Sequence, residues 1–148
     1  MYIKAMFDQG SIPVLERLIS FSEARHRAIA DNIANVDTPD YRRRDLPLAE
    51  FQQALKKSIE HRRAGNPRKF IFIESDNVKG NELGGISANV ISSRPSPFDI
   101  LRHDNNNVSI DREMSELAKN TILHNGMVQI LSKEFSMLRS AISERILR

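Results

Sequence analysis

From Asp111 to Arg148 the chain contains no proline and a single glycine, Gly126, and a segment so free of helix breakers is constrained to form one long helix. At 1.5 Å per residue it would extend roughly 55 Å. Ser109 is placed to cap its start, Asp111 and Glu113 put negative charge at the positive end of the helix dipole, and Arg139, Arg145 and Arg148 put positive charge at the other. Written as heptads, one position carries Met114, Thr121, Val128, Phe135 and Ile142, and its paired position carries Leu117, His124, Leu131 and Leu138. That pattern predicts a coiled-coil seam, with His124 as a packed or register-setting polar residue. A second apolar row, Leu123, Met127, Ile130, Met137 and Ala141, lies elsewhere on the helix. A helix apolar on more than one side is normally buried, and a chain of 148 residues with a polar middle has little to bury it with. Packing between molecules is the economical solution.

One partner for the seam is available within the chain. Ser11 and Pro13 suit a helix start, and Leu15, Leu18, Ile19, Ala28, Ile29, Ile33 and Val36 recur at three- and four-residue steps, which predicts a helix over 11–36. It must stop before Pro39, because the residue preceding a proline is pushed out of the α region. Asp37, Thr38, Pro39 and Asp40 make a turn, and a shorter helix follows over 47–61, capped by Asp45, with Leu48, Phe51, Leu55 and Ile59 on one face. The middle, 62–107, is glycine- and proline-rich (Gly65, Pro67, Gly80, Gly84, Gly85, Pro95, Pro97). Phe70–Ile73 and Ile86–Ile91 read there as short strands in a small β element with mobile flanks. The expectation is one mainly α domain over 1–148. Its long N- and C-terminal helices (11–36 and 109–148) pair as an antiparallel-type coiled coil, joined through a turn and short helix over 37–61 and a small β/loop middle.

Several function classes lack support. Cysteine is absent, and His26, His61, His103 and His124 form no metal-binding motif, so no metal or cofactor is expected. There is no nucleophile elbow and no phosphate-binding loop, so no catalysis and no small-molecule substrate are expected. The arginines of Arg42-Arg43-Arg44, Arg62-Arg63 and Arg68-Lys69 allow a basic coiled-coil nucleic-acid-binding or adaptor protein as the alternative. A solvated loop with countercharges at Asp37, Asp40 and Asp45 explains the first cluster more simply, and no nucleic acid is expected. The net charge is only +3. Asp8, Glu16, Arg17 and Glu23 interrupt every apolar run near the N-terminus, so the reading is of a chain that stays in the cytosol or is exported without a cleaved signal. The Asn105-Asn106-Asn107 run reads as a loop that tolerates left-handed geometry.

One stretch is more specific. Ala30-Asp-Asn-Ile-Ala-Asn-Val-Asp-Thr-Pro-Asp-Tyr41 resembles the N-terminal signature of the flagellar rod, hook and hook-associated proteins, an Asn-Ile-Ala-Asn core followed by Thr-Pro-Gly-Tyr. Asn32, Ile33, Ala34, Asn35, Thr38, Pro39 and Tyr41 match, while Asp40 stands where the pattern has Gly. If that position needs positive φ, Asp suits it less well than Gly does. Asn106-Asn-Val108, Glu113-Met114, Glu116–Asn120 and Leu131–Leu138 resemble the basal-body rod members of the family, with Asn105 replacing a family Gly.

The resemblance implies a structural subunit of the proximal rod, part of the drive shaft that transmits torque, polymerising with copies of itself and other rod subunits. It implies membrane-ring or adaptor proteins as neighbours, a periplasmic location in the basal body, and delivery by the flagellar type III export apparatus without a cleaved signal. The residues expected to carry assembly are the seven signature matches together with Leu117, Val128, Ile130, Leu131, Phe135, Met137, Leu138 and Ile142.

Overall fold

A computed structural model of the chain describes residues 10–65, 69–81, 84–92 and 105–143. Helix α1 spans Ile12–Ala34, strand β1 Arg44–Asp45 and helix α2 Leu48–Ala64. Strands β2 (Val78–Gly80), β3 (Ile86–Ala88) and β4 (Ile91–Ser92) precede helix α3, Ile110–Ile142. The strands form two antiparallel pairs: β2 with β3, Val78 opposite Ala88, and β1 with β4, Arg44 opposite Ser92. Arg68, Arg145, Arg148, His103, Pro67, Pro95 and Pro97, singled out above, lie outside the described residues.

The two long helices lie side by side and run in opposite directions. Ser11 meets Glu134 at 2.8 Å, Ser22 meets His124 at 2.8 Å, Arg25 meets Glu116 at 3.1 Å and Asn32 meets Glu113 at 3.0 Å, so rising numbers on α1 face falling numbers on α3. The apolar core lies elsewhere, where α1 packs on α2 and the β2–β3 hairpin. Phe21 stacks on Phe51 with centroids 4.0 Å apart and planes 3° from parallel, Phe72 tilts against Phe51 at 6.3 Å, and Leu46, Leu55 and Val78 close the cluster. A fully buried large apolar side chain contributes about 1.5–3 kcal/mol, so this cluster is what holds the middle of the chain to α1.

Arg17 fastens the hairpin. Its guanidinium donates to the carbonyls of Asn81 and Gly85 and lies 5.5 Å over the Phe72 ring. Burial pulls its pKa below the usual arginine value, against the opposing pull of Glu16 and Glu74. Gly84 turns the chain at φ +88°, where any other side chain would be strained, and a Cβ there would stand 2.8 Å from the Glu16 carboxylate, which would have to shift.

Several local expectations are corrected. Ser11 occupies the N-cap of α1 but makes no capping bond; its hydroxyl donates to Glu134 on α3. Helix α1 ends at Ala34, well before Pro39, because the carbonyls of Asn35, Val36 and Thr38 turn toward the Asn106 side chain instead. Pro47, not Asp45, precedes α2, since the Asp45 carboxylate is taken by Arg25 and Arg43. Phe70–Ile73 alternates as a strand would, with Ile71 exposed and Phe70 and Phe72 packed inward. It joins no ladder, however, because the Ile73 N–H goes to Ser58 Oγ on α2 at 2.8 Å. Ile86–Ile91 divides between β3 and β4.

Phe51 is 1% exposed and touches two other rings. Phe51→Ala is expected to cost about 3–5 kcal/mol of unfolding free energy in a denaturant titration, leaving a cavity between α1, α2 and the hairpin.

Candidate functional site

The signature stretch forms a saturated polar joint at the end of α1. Asn32 is fully buried. Its amide nitrogen donates to the Arg44 carbonyl at 2.7 Å and to Glu113 Oε2 at 3.0 Å. Its amide oxygen accepts the Arg44 N–H at 2.9 Å and the Tyr41 hydroxyl at 3.2 Å. Both donors and both lone pairs of a buried amide are thereby used. Asn35 closes the helix, donating to the Asp31 carbonyl at 2.8 Å and accepting the Thr38 hydroxyl at 3.2 Å. Asn106, fully buried, holds the turn from the far side, its amide nitrogen 2.9–3.0 Å from the carbonyls of Asn35, Val36 and Thr38. Ile33 is half-buried, while Ala34, Thr38 and Pro39 face solvent. Asp40 has φ +58° and Asn105 φ +57°, so both positions demand the left-handed backbone that the Gly of the family pattern implies, and Asp40 Oδ1 accepts from Asn105 Nδ2 at 3.2 Å.

Beside this joint lies an ion network that the sequence reading missed. Glu113 is fully buried, one oxygen on Asn32 and the other on the Arg43 Nε–H. Arg43 also meets Asp45 at 3.1 Å; Asp45 meets Arg25 at 3.1 Å; and Arg25 meets Glu116 at 3.1 Å. The Arg42-Arg43-Arg44 run is therefore not a plain solvated loop. Arg42 and Arg44 are exposed, with Arg44 over the Tyr41 ring at 5.5 Å, but Arg43 is buried. Alternation was the signal available, since exposed and buried side chains alternate from Arg42 through Asp45 where the chain runs into β1.

The network shifts its members. Burial works against the charge on Arg43, but the hydrogen bond and charge of Glu113, with Asp45 behind, hold its pKa above the usual value. Burial likewise opposes ionisation of Asp45, yet Arg25, the Leu46 N–H and Arg43 together hold its carboxyl below the ordinary 3.8. The hydrogen bond from Lys119 lowers Glu116, with Arg25 adding to it. Burial pushes the Tyr41 hydroxyl up.

Along α3 the face toward α1 is one step from the expected one. Leu117, His124, Leu131 and Leu138 are half-buried there. Their companion row is Glu113, Asn120, Met127 and Glu134, not Met114, Thr121, Val128, Phe135 and Ile142, which are exposed. The reason is that α1 presents polar groups: Asn120 donates to the Ser22 carbonyl at 2.9 Å, and Glu113, His124 and Glu134 meet Asn32, Ser22 and Ser11. His124 is thus part of a polar layer. Met127 moves from the second row to the buried face, and Leu123, Ile130 and Met137 remain exposed at 62%, 51% and 43%. Among the described residues no group of acidic or histidine side chains could hold a metal ion, and no helix is long and apolar enough to cross a membrane.

No family model matches the chain. Curated relatives do. The flagellar basal body rod protein FlgB of Borrelia hermsii is 34% identical over 134 residues, covering 89% of this chain and 95% of the relative. This chain belongs to the FlgB family of flagellar basal body rod proteins. FlgB of Bacillus subtilis (strain 168) and of Aquifex aeolicus (strain VF5) are each 26% identical, over 136 and 140 residues, covering 90% of this chain and 94% of each relative. Membership makes the chain a structural rod subunit and not an enzyme. The FlgB signature is accounted for locally, by an amide that ties helix end, turn and α3 into one joint.

Two measurements check the joint. Glu113→Ala takes the Nε partner from buried Arg43, leaving it Asp45, and frees one Asn32 donor; it is expected to cost about 2–3 kcal/mol, read by chemical denaturation. The lowered carboxyls of Asp45 and Glu116 make the unfolded chain bind more protons than the folded one. Their stabilisation is present above the ordinary values of 3.8 and 4.5 and is lost as pH falls below them through the folded values. An acid titration of unfolding free energy should therefore fall across that window, and Asp45→Asn should flatten it.

Proposed function

We propose that this rod subunit polymerises through its terminal helices into the proximal part of the drive shaft that transmits torque. The observation that carries the reading is the pair of large apolar rows left exposed on α3, Leu123, Ile130 and Met137 on one side and Met114, Val128, Phe135 and Ile142 on the other. Exposed apolar surface on this scale in one helix marks an interaction surface. In this reading the whole chain is one subunit domain whose terminal helices form an antiparallel coiled-coil pair. Leu117, Leu131 and Leu138 serve that pair, while Val128, Ile130, Phe135, Met137 and Ile142 serve neighbours. Asn32, Ile33, Ala34, Asn35, Thr38, Pro39 and Tyr41 build the joint that sets the angle at which α1 leaves.

The partners are further copies and other rod subunits, with membrane-ring or adaptor proteins at the base. Contacts that repeat head to tail without closing generate a helical tube. Delivery by the flagellar export apparatus to the periplasmic rod completes the proposal. A nucleic-acid role is disfavoured because Arg43 is withdrawn into the ion network.

Leu131→Asp and Ile130→Asp separate the two surfaces. Leu131 is half-buried on the α1 side, so an aspartate there should lose helix content by circular dichroism as well as association, at a cost of several kcal/mol. Ile130→Asp should keep the helix pair and lose crosslinked species, and both should abolish swimming. An Ile130→Asp protein that crosslinks and swims normally would show that its row is not an interface.

A further inference from the structure

Asn125 and Gly126 lie side by side in the middle of α3, the one place in the sequence where an asparagine is followed by glycine. The pair has a chemistry of its own. The backbone nitrogen that follows an asparagine can attack the side-chain amide and close a succinimide ring, and a side chain on the following residue crowds that attack. Asn32, Asn35, Asn77, Asn89, Asn107 and Asn120 each precede a β-branched residue, and Asn66 precedes a proline, which has no N–H to lose. Asn106 is fully buried, with its amide nitrogen committed to the carbonyls of Asn35, Val36 and Thr38. Asn125 is exposed, and a Cβ built on Gly126 would meet nothing within 4 Å, so no neighbouring group stands in the way.

What restrains the pair is the helix. The Gly126 N–H is directed at the Ile122 carbonyl one turn back, and the helical ψ of Asn125 turns the nitrogen out of the plane in which the ring would close. Both restraints end when this turn of α3 opens. Glycine is the weakest helix former after proline, which favours opening at this point. Tertiary cover is one-sided here: His124 and Met127 face α1, while Ile122, Leu123 and Val128 are exposed. The turn is fastened to α1 by the contact of His124 with Ser22 and, just before it, by the bond from Asn120 to the Ser22 carbonyl.

We propose that Asn125 is a self-modification site, converted to aspartate and isoaspartate at a rate set by local opening of α3. When the turn opens, hydroxide takes the Gly126 amide proton and the nitrogen attacks Asn125 Cγ. A C–N bond forms, the Cγ–Nδ2 bond breaks, and Nδ2 leaves as ammonia with a proton from water. Water then opens the ring at either carbonyl. One product is aspartate in an unchanged backbone. The other is isoaspartate, whose main chain runs through Cβ and Cγ and so carries an extra backbone carbon. That carbon puts the hydrogen bonds that span it out of step, and the isoaspartyl chain cannot rebuild α3 as one continuous helix. The subunit thus carries a limit on the time its C-terminal helix spends open.

Peptide mapping by mass spectrometry, with isoaspartate measured separately, tests this on the full-length chain at mildly alkaline pH. In denaturant Asn125 should convert before any other asparagine. In the folded chain it should convert at least about tenfold more slowly, because only the opened fraction reacts. Asn120→Ala removes the bond to Ser22 and should raise the folded rate while leaving the denatured rate unchanged. Gly126→Ala should suppress conversion in both states. Converted wild-type chains should show less helix by circular dichroism. Equal rates in the folded and denatured chains would overturn the proposal, as would another asparagine reacting first in denaturant. So would a folded Asn125 that stays intact in both the wild type and Asn120→Ala, or a folded rate that Asn120→Ala does not change.

Discussion

The arrangement of the described chain depends on a carboxylate with no access to water. Glu113 is fully buried, and moving an unpaired carboxylate out of water would cost more than a domain of this size can recover. The site is tolerable only because Arg43 and Asn32 meet its two oxygens. Those partners lie far away in sequence, one at the end of α1 and one just before β1, so the charge can be buried only when three segments have reached one arrangement. Asn32 is committed in turn to both backbone groups of Arg44, and Asn106 to the carbonyls of the turn. Backbone groups that a helix would otherwise satisfy are met by amide side chains, and this allows the chain to leave α1 abruptly and return along α3.

From that joint the pairing of the long helices follows. Polar layers recur along it, Asn32 with Glu113, Ser22 with Asn120 and His124, and Ser11 with Glu134. Polar contacts of this kind specify register more than they stabilise, because a slip of one residue would separate each of them from its partner. The apolar contribution is placed on the other side of α1, in the Phe21–Phe51 stack and its surroundings. Helix α1 is therefore engaged by α3, by α2 and by the β2–β3 hairpin, whereas α3 packs principally on α1. Among the described residues, the apolar side chains of α3 outnumber the surfaces that cover them.

Much of this was legible before any coordinates. The three helices follow from proline placement and apolar spacing, and their antiparallel pairing was expected from matched terminal heptads. What resisted reading was local. The capping roles assigned to Ser11 and Asp45 fail because each side chain has a stronger distant partner, Glu134 in one case and Arg25 with Arg43 in the other. The strand expected at Phe70–Ile73 has the right alternation but packs on a helix, and periodicity carries no information about which neighbour an extended segment finds.

The sequence by itself determined that α3 is a long helix with more than one apolar row, and that a turn of flagellar rod type follows α1. Both are properties of local spacing: no breaker between Asp111 and Arg148 but Gly126, and a motif of contiguous residues. Only the tertiary structure decided which apolar rows of α3 remain outside. The row containing Leu117, Leu131 and Leu138 has a neighbour on either side, one polar and one apolar, and hydrophobicity alone selects the apolar one. The polar row is the one inside, because Asn32, Ser22 and Ser11 on α1 each require a hydrogen-bonding partner there. A buried polar group must be matched by a specific atom on another segment, and such matches exist only once the segments are brought together.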